Sequence, residues 1–132
     1  MKKIICITGL FFCSLVAVAQ EEKDCKKVNT STFRSELNVD GKNIVTMIYR
    51  KKDKQIEENT PMGIKMEFNV RWTTPCSYEL SDPKVLKGEV PEVSPEQVLY
   101  VNILSVSKEA YTAEVSSNFF EGKTIFDFMI VK

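Results

Sequence analysis

The chain has 132 residues, in which 18 lysines and arginines balance 18 aspartates and glutamates, and it contains no histidine. The missing imidazole excludes the Ser-His-Asp and Cys-His arrangements of nucleophilic catalysis and the commonest general base. The length fits one domain, and the even charge disfavours nucleic acid as a partner, because nucleic-acid-binding domains present a basic surface.

The first 19 residues have the three parts of a secretory signal peptide. Lys2 and Lys3 form a charged start, residues 4–16 form an apolar core, and an A-x-A cleavage site closes the segment. A membrane anchor, the alternative, needs roughly 20 apolar residues, and this core is shorter. We therefore predict a leader over 1–19 and a single β domain over 20–132, exported to the periplasm, the outer envelope or the medium.

A lipoprotein signal that uses Cys13 is a weaker alternative, since the bulky Phe12 stands where a small residue is wanted. Cleavage removes two lysines and no acidic residue, so the exported chain carries 16 basic and 18 acidic residues, a net charge near −2. We expect no transmembrane segment in this exported chain.

Cleavage also removes Cys6 and Cys13 and leaves Cys25 and Cys76. Two cysteines in an exported chain most simply form one internal disulfide; free thiols or a bridge between two chains are the alternatives. An internal bridge would close a loop of about 50 residues, which chain entropy values at about 4 kcal/mol. Two cysteines without histidine do not make a zinc site, so we predict no metal and no cofactor.

Alternating or β-branched runs, typical of strands, recur along the rest of the chain. Asp40-Gly41 between the first two predicts a hairpin, because both residues tolerate positive φ. Seven or eight strands with short turns predict an all-β antiparallel meander, closed as a small lipocalin-like barrel or folded as a sandwich. The runs cover residues 33–39, 43–50, 55–57, 62–72, 76–80, 98–107, 111–115 and 124–131.

The most regular alternation runs from Met62 to Trp72, where every second residue is apolar. This pattern predicts one long strand that bends or splits near Gly63, with its apolar face inward and Lys65 and Arg71 in water. Residues 81–97 follow as the longest irregular stretch, with one helix-like turn at Ser94-Pro95-Glu96-Gln97.

An R-x4-Q-x-E segment at residues 50–57, followed by V-x-W-x3-C-x-Y-x-L at residues 70–80, resembles a group of small exported proteins from Bacteroidetes-type bacteria. The resemblance covers roughly residues 25–115, and Cys25 matches the family's early cysteine. Ser31 stands where the family has the glycine of a G-x-F start, which weakens any analogy with the opening of lipocalin-like barrels.

This resemblance implies no activity, since the family has none established. Some of its members carry the label of a type II topoisomerase subunit. An exported, mildly acidic chain of this size is far too short for a DNA-gate domain, and its tyrosines lie in strand patterns.

Catalytic constellations are missing from the sequence. Paired carboxylates occur at Glu57-Glu58 and, separately, at Glu89 and Glu92. Both pairs lie in polar, turn-like sequence, and we interpret them as solvated. The predicted bridge would deny Cys76 the role of nucleophile. We therefore predict that the protein is not an enzyme.

Aromatic residues give the remaining lead, and most of them are predicted to face inward, as core packing or as the wall of an incompletely filled barrel. Arg50, Trp72 and Tyr78 are the candidate pocket wall, and a stacked pair of Arg50 and Trp72 is the purely structural alternative. The set is Phe33, Tyr49, Phe68, Trp72, Tyr78, Tyr100, Tyr111, Phe126 and Phe128.

Two functions from different classes fit these features. The first is an exported, non-enzymatic binding module that holds a small apolar ligand in its barrel. The second is a protein–protein module, such as an inhibitor, an immunity-type protein or an envelope accessory protein, which binds through its loops, notably residues 81–97.

Overall fold

The computed structural model describes residues 24–132, and the predicted signal peptide over 1–19 lies outside this range. One short 3-10 helix, Cys25–Val28, precedes eight strands. The strands are β1 (Ser31–Val39), β2 (Lys42–Arg50), β3 (Lys54–Thr60), β4 (Lys65–Thr74), β5 (Ser77–Lys87), β6 (Leu99–Val106), β7 (Ala110–Ser117) and β8 (Thr124–Val131).

Each strand pairs antiparallel with the next, and β8 pairs with β1, so the sheet closes into a barrel. The closing register places Phe33 opposite Ile130. The predicted all-β meander is confirmed, and of its two forms the chain adopts the barrel. Closure gives the first and last strands each a second neighbour, which removes the open edges that β1 and β8 would otherwise have.

The hairpin between β1 and β2 forms as predicted. Val39 pairs with Lys42 across a two-residue turn. Asp40 has φ of 51° and Gly41 has φ of 81°, and positive φ at both central residues matches the twist of the flanking strands.

The expected long strand from Met62 is shorter at its start, because β4 begins at Lys65. A cis Thr60–Pro61 bond and Gly63, with φ of 68°, form the turn that precedes it. Proline donates no hydrogen bond to a neighbouring strand, and a positive φ is not extended backbone. The apolar alternation therefore begins at Met62, before the strand itself.

Along β4 the predicted inward face is confirmed. Phe68 and Val70 are buried, and Arg71, the residue after Val70, is exposed. Two of the aromatic residues expected inside lie outside instead, since Tyr49 and Tyr100 are about 40 % exposed. Both alternate with buried inward residues of their strands, and an odd-numbered step along a strand reverses the side-chain direction.

Strand β5 is longer than predicted and takes up residues 81–87 of the expected irregular stretch. Only its first part, Ser77–Leu80, pairs with β6. The irregular segment is therefore residues 88–98, which we call the portal loop. Within it, the Gln97 amide donates to the Ser94 carbonyl oxygen and the Ser94 amide donates to the Gln97 side chain, so the helix-like signal produces a single turn.

One end of the barrel, which we call the closed end, is sealed by the 3-10 helix. Val28 is fully buried there, and Cys25 is bonded to Cys76 in the turn between β4 and β5. The predicted disulfide is therefore present, and it ties the start of the described chain to the wall. Within residues 24–132, no helix has the length and apolar character needed to cross a bilayer.

Candidate functional site

Arg50 lies inside the closed end, where β2 finishes, and only 3 % of it is exposed. Its Nε donates to Gln55 Oε1 at 2.7 Å, and its Nη1 donates to the Val28 carbonyl oxygen at 2.8 Å. Its Nη2 donates to the hydroxyls of Tyr78, at 2.6 Å, and Tyr111, at 2.7 Å. Burying a guanidinium is costly unless it is hydrogen-bonded, and these partners provide that compensation.

Three aromatic rings surround the same guanidinium. Its carbon lies 4.4 Å from the ring centre of Tyr78, 4.7 Å from that of Phe33 and 5.6 Å from that of Tyr111. Trp72 instead packs on Tyr78, with ring centres 4.7 Å apart. The expected stacking of Arg50 on Trp72 is therefore replaced by contacts with three other rings, which occupy the space around the guanidinium.

These contacts fix the protonation of the closed end. Burial works to lower the pKa of Arg50, but the neighbouring Tyr78 and Tyr111, and then Glu57, outweigh it and raise that pKa. Burial raises the pKa of Tyr78 well above its ordinary value, and the Arg50 charge only partly opposes this. At neutral pH a charged Arg50 therefore faces a neutral Tyr78 phenol.

A side-chain relay runs from this arginine toward the middle of the barrel. Gln55 accepts from Arg50 and donates through Nε2 to Glu57 Oε2 at 2.7 Å. Gln55 and Glu57 are two residues apart on β3, so both point to the same face of the strand. The Gln55 amide therefore bridges the positive charge of Arg50 and the carboxyl of Glu57.

Above the closed end the interior is not filled. A cavity of about 420 Å³ lies within the other half of the barrel, which we call the open half, and a volume of this order is typical of small-molecule sites. Its lining residues are Ser35, Leu37, Ile44, Thr46, Ile48, Gln55, Glu57, Asn59, Met62, Tyr78, Leu80, Leu99, Val101, Val115, Phe120, Phe126 and Phe128.

The wall of this cavity is unevenly polar. Strand β3 contributes Gln55, Glu57 and Asn59, and the Asn59 side-chain amide donates to Thr46 Oγ1 on β2 at 2.8 Å. Strands β5 to β8 contribute Leu80, Leu99, Val101, Val115, Phe126 and Phe128 as well as the Tyr78 ring. The cavity therefore offers an apolar surface opposite one polar stripe, an arrangement that suits an amphipathic molecule.

Glu57 is the charged member of that stripe. Glu57 is not the fully solvated carboxylate that was expected: it shares the inward face of β3 with the buried Gln55, lines the cavity and is only partly exposed, so its carboxyl is partly withdrawn from bulk solvent. This desolvation raises the pKa of Glu57, and the hydrogen bond from Gln55 and the charge of Arg50 oppose the rise without cancelling it. A carboxyl in this setting gains from any further donor or cation that enters the cavity.

The mouth of the cavity lies at the open half's rim. Leu37, Met62 and Phe120 line the cavity and are also between 43 % and 56 % exposed. They come from three different places, namely the end of β1, the turn before β4 and the turn before β8. Exposed apolar side chains at the lip of an apolar cavity are typical of a ligand entrance.

A second cavity of about 310 Å³ lies beside the first and shares Leu80 and Leu99 with it. Its outer wall is the portal loop, through Val90, Pro91 and Val93.

The three candidate wall residues are placed differently. Tyr78 lines the main cavity with its ring, whereas Arg50 lies beneath it and Trp72 packs behind Tyr78. Sequence reasoning named Glu57 only as half of a solvated carboxylate pair and did not name Asn59. The available signal was Gln55-x-Glu57-x-Asn59, which puts three polar residues on one face of a strand whose partners point apolar residues inward.

Comparison of the chain with protein-family models, with curated proteins and with solved structures returns no match.

Proposed function

We propose that this protein is an exported, non-enzymatic binding module that holds a small, largely apolar ligand inside its barrel. The observation that carries the proposal is the cavity of about 420 Å³, lined mostly by apolar side chains and opening between Leu37, Met62 and Phe120. Barrels of about eight strands are just wide enough to hold one small ligand.

Two features support action outside the cytoplasm and binding rather than turnover. The Cys25–Cys76 bridge is of a kind that persists in oxidising compartments, in agreement with the predicted leader. The sequence has no histidine, and both cysteines of the exported chain are used in that bridge. The polar groups around Arg50 are already paired with one another, so they serve the fold.

Titration of the exported chain with N-phenyl-1-naphthylamine, a neutral fluorophore that brightens in apolar surroundings, tests the proposal. We expect saturable binding of one molecule per chain. Val115→Phe should weaken it at least about tenfold, because Val115 lines the cavity and the added ring fills it. Ile125→Phe is the matched control, since Ile125 on β8 is 61 % exposed. Equal weakening by both variants, or no saturable binding, would refute the proposal.

A protein partner is the second candidate function, and the outer part of β5 favours it. Beyond Leu80, β5 pairs only with β4, and Val85 and Leu86 there are 39 % and 49 % exposed. A strand with one unpaired edge is a common site of peptide addition. Leu86→Asp should abolish capture of such a partner from the native envelope and leave fluorophore binding intact, whereas Val115→Phe should do the reverse.

A further inference from the structure

The main cavity holds a feature that a purely apolar ligand would not use. Glu57 is the one formally charged side chain in its lining, within the part of the chain that the structure describes. Within residues 24–132, its carboxylate accepts one hydrogen bond, from Gln55 Nε2 to Oε2. The residues paired with Glu57 across β2 and β4, Ile48 and Met66, are apolar and offer no donor side chain.

Resting on the proposed function, we propose that the ligand is an apolar molecule that carries one cationic amine, and that the Glu57 carboxylate binds this amine inside the barrel. An ammonium group is a donor that matches an enclosed carboxylate in charge. The polar stripe holds the amine, and the apolar residues of β5 to β8 cover the rest of the ligand.

A ligand with a carboxylate head fits the same cavity poorly. The cation that could attract it, Arg50, is absent from the lining and already donates to Gln55, Val28, Tyr78 and Tyr111. Gln55 and Tyr78, which do line the cavity, lie between the ligand space and the guanidinium. An anionic head would therefore meet Glu57 first, and like charges repel strongly in a low-dielectric interior.

Glu57 has one other explanation, which is that it serves only as the counter-charge for Arg50 through Gln55. That role predicts no dependence of ligand binding on the ligand's head group. The amine proposal predicts such a dependence, so the two can be separated by ligands that differ only at the head.

The test displaces N-phenyl-1-naphthylamine with octylamine, octan-1-ol or octanoic acid near pH 8 at physiological salt. At that pH the amine is positive and the acid negative, and all three have the same eight-carbon length. We expect octylamine to bind about tenfold tighter than octan-1-ol, and octanoic acid to bind most weakly. Octanoic acid binding as tightly as octylamine would overturn the proposal.

Glu57→Gln tests the residue itself, since glutamine keeps an acceptor for Gln55 and loses the charge. The variant should lose the preference for octylamine over octan-1-ol. Glu58→Gln is the matched control: it removes the same charge from the next residue, which is absent from the cavity lining. Glu57→Asp, which keeps the charge, should retain a preference for the amine.

The outcomes separate the two proposals. If octan-1-ol displaces the fluorophore and octylamine has no advantage, the cavity binds ligands and the amine proposal is wrong. The amine proposal is also wrong if Glu57→Gln keeps the full preference, or if Glu58→Gln loses it equally. If neither the fluorophore nor any of the three compounds binds, the proposed function fails as well.

Discussion

The two halves of this barrel treat buried polar groups in opposite ways. At the closed end, Arg50 is only 3 % exposed and donates hydrogen bonds to Gln55, Val28, Tyr78 and Tyr111. In the open half, Glu57 has one hydrogen-bond partner and faces a cavity of about 420 Å³. The closed end resembles an ordinary protein core, whereas the open half keeps unfilled space and a partly compensated charge.

The same strands therefore serve stability at the closed end and binding in the open half. At the closed end, Tyr111 packs edge-to-face against Phe33 and stacks on Phe128, with ring centres 5.1 and 4.7 Å away. A well-packed interior has few voids larger than a water molecule, so the open half departs from what stability alone would favour. We therefore expect mutations at the closed end to lower stability and mutations in the open half to lower ligand affinity.

The largest expected effect is loss of the disulfide. Replacing Cys25 and Cys76 together by alanine should lower the free energy of unfolding by about 4 kcal/mol, because the bridge closes a loop with a sequence separation of 51. Urea denaturation with and without reductant measures this. Under conditions where the variant is folded, its fluorophore affinity should stay within about threefold of that of the parent chain, and a large loss of affinity would show that the halves are not independent.

Arg50→Ala comes next, with an expected cost of about 3 kcal/mol, since it leaves the hydroxyls of Tyr78 and Tyr111 buried with fewer partners. Arg34→Ala is the control, because Arg34 forms an exposed ion pair with Glu36 and such pairs contribute about 0.5 kcal/mol or less. Similar midpoints in urea for the two variants would contradict the central role given to the buried guanidinium.

A pair of isoleucines compares the halves directly. Ile103 is fully buried and Ile44 lines the cavity. Ile103→Ala should cost about 3 kcal/mol, whereas Ile44→Ala should cost about 1 kcal/mol, because Ile44 already borders empty space. Only Ile44→Ala should change fluorophore affinity. Equal stability losses in thermal or urea unfolding would mean that the open half is packed as tightly as the closed end.

The smallest expected effect concerns pH. The pKa of Glu57 is raised by burial, so the folded protein holds this proton more tightly than the unfolded chain. The contribution of Glu57 to stability therefore falls as pH rises through the window between the unfolded and folded pKa values. Relative to the parent chain, Glu57→Gln should become more stable as pH rises above the ordinary glutamate pKa of about 4.3.

Glu36→Gln should show the opposite trend. The pKa of Glu36 is lowered, first by the hydrogen bond from Asn43 and then by the charge of Arg34. Its contribution is present above the unfolded pKa and is lost as pH falls, so the variant should lose stability relative to the parent as pH rises. Parallel stability curves for Glu57→Gln and the parent would contradict the enclosed position of Glu57.

The sequence predicts the strands and the bridge well, since alternation and cysteine number are local or compositional signals. It predicts a strand from Met62 that bends or splits near Gly63; the turn at Pro61 and Gly63 is there, and β4 itself begins only after it, at Lys65. Closure into a barrel is not readable from one sequence, since the pairing of β1 with β8 joins segments about 100 residues apart.

The site is less predictable than the fold for the same reason. The sequence marks Arg50 as a candidate pocket-wall residue, but its partners Tyr78 and Tyr111 lie 28 and 61 residues away in sequence, on other strands. In the sequence, Glu57 looks like half of a solvated pair because Glu58 follows it directly. The two side chains point to opposite faces of β3, and only the closed barrel makes one face the inside and the other the outside.

Methyl-resolved NMR of the exported chain titrated with octylamine locates the bound ligand. We expect saturable shifts, at one ligand per chain, for the methyl groups of Ile44, Val101 and Val115 in the cavity wall, with Leu104 and Ile125 on the outer surface unchanged. Shifts confined to the outer methyl groups, or a filled interior that gives none, would contradict binding inside the barrel.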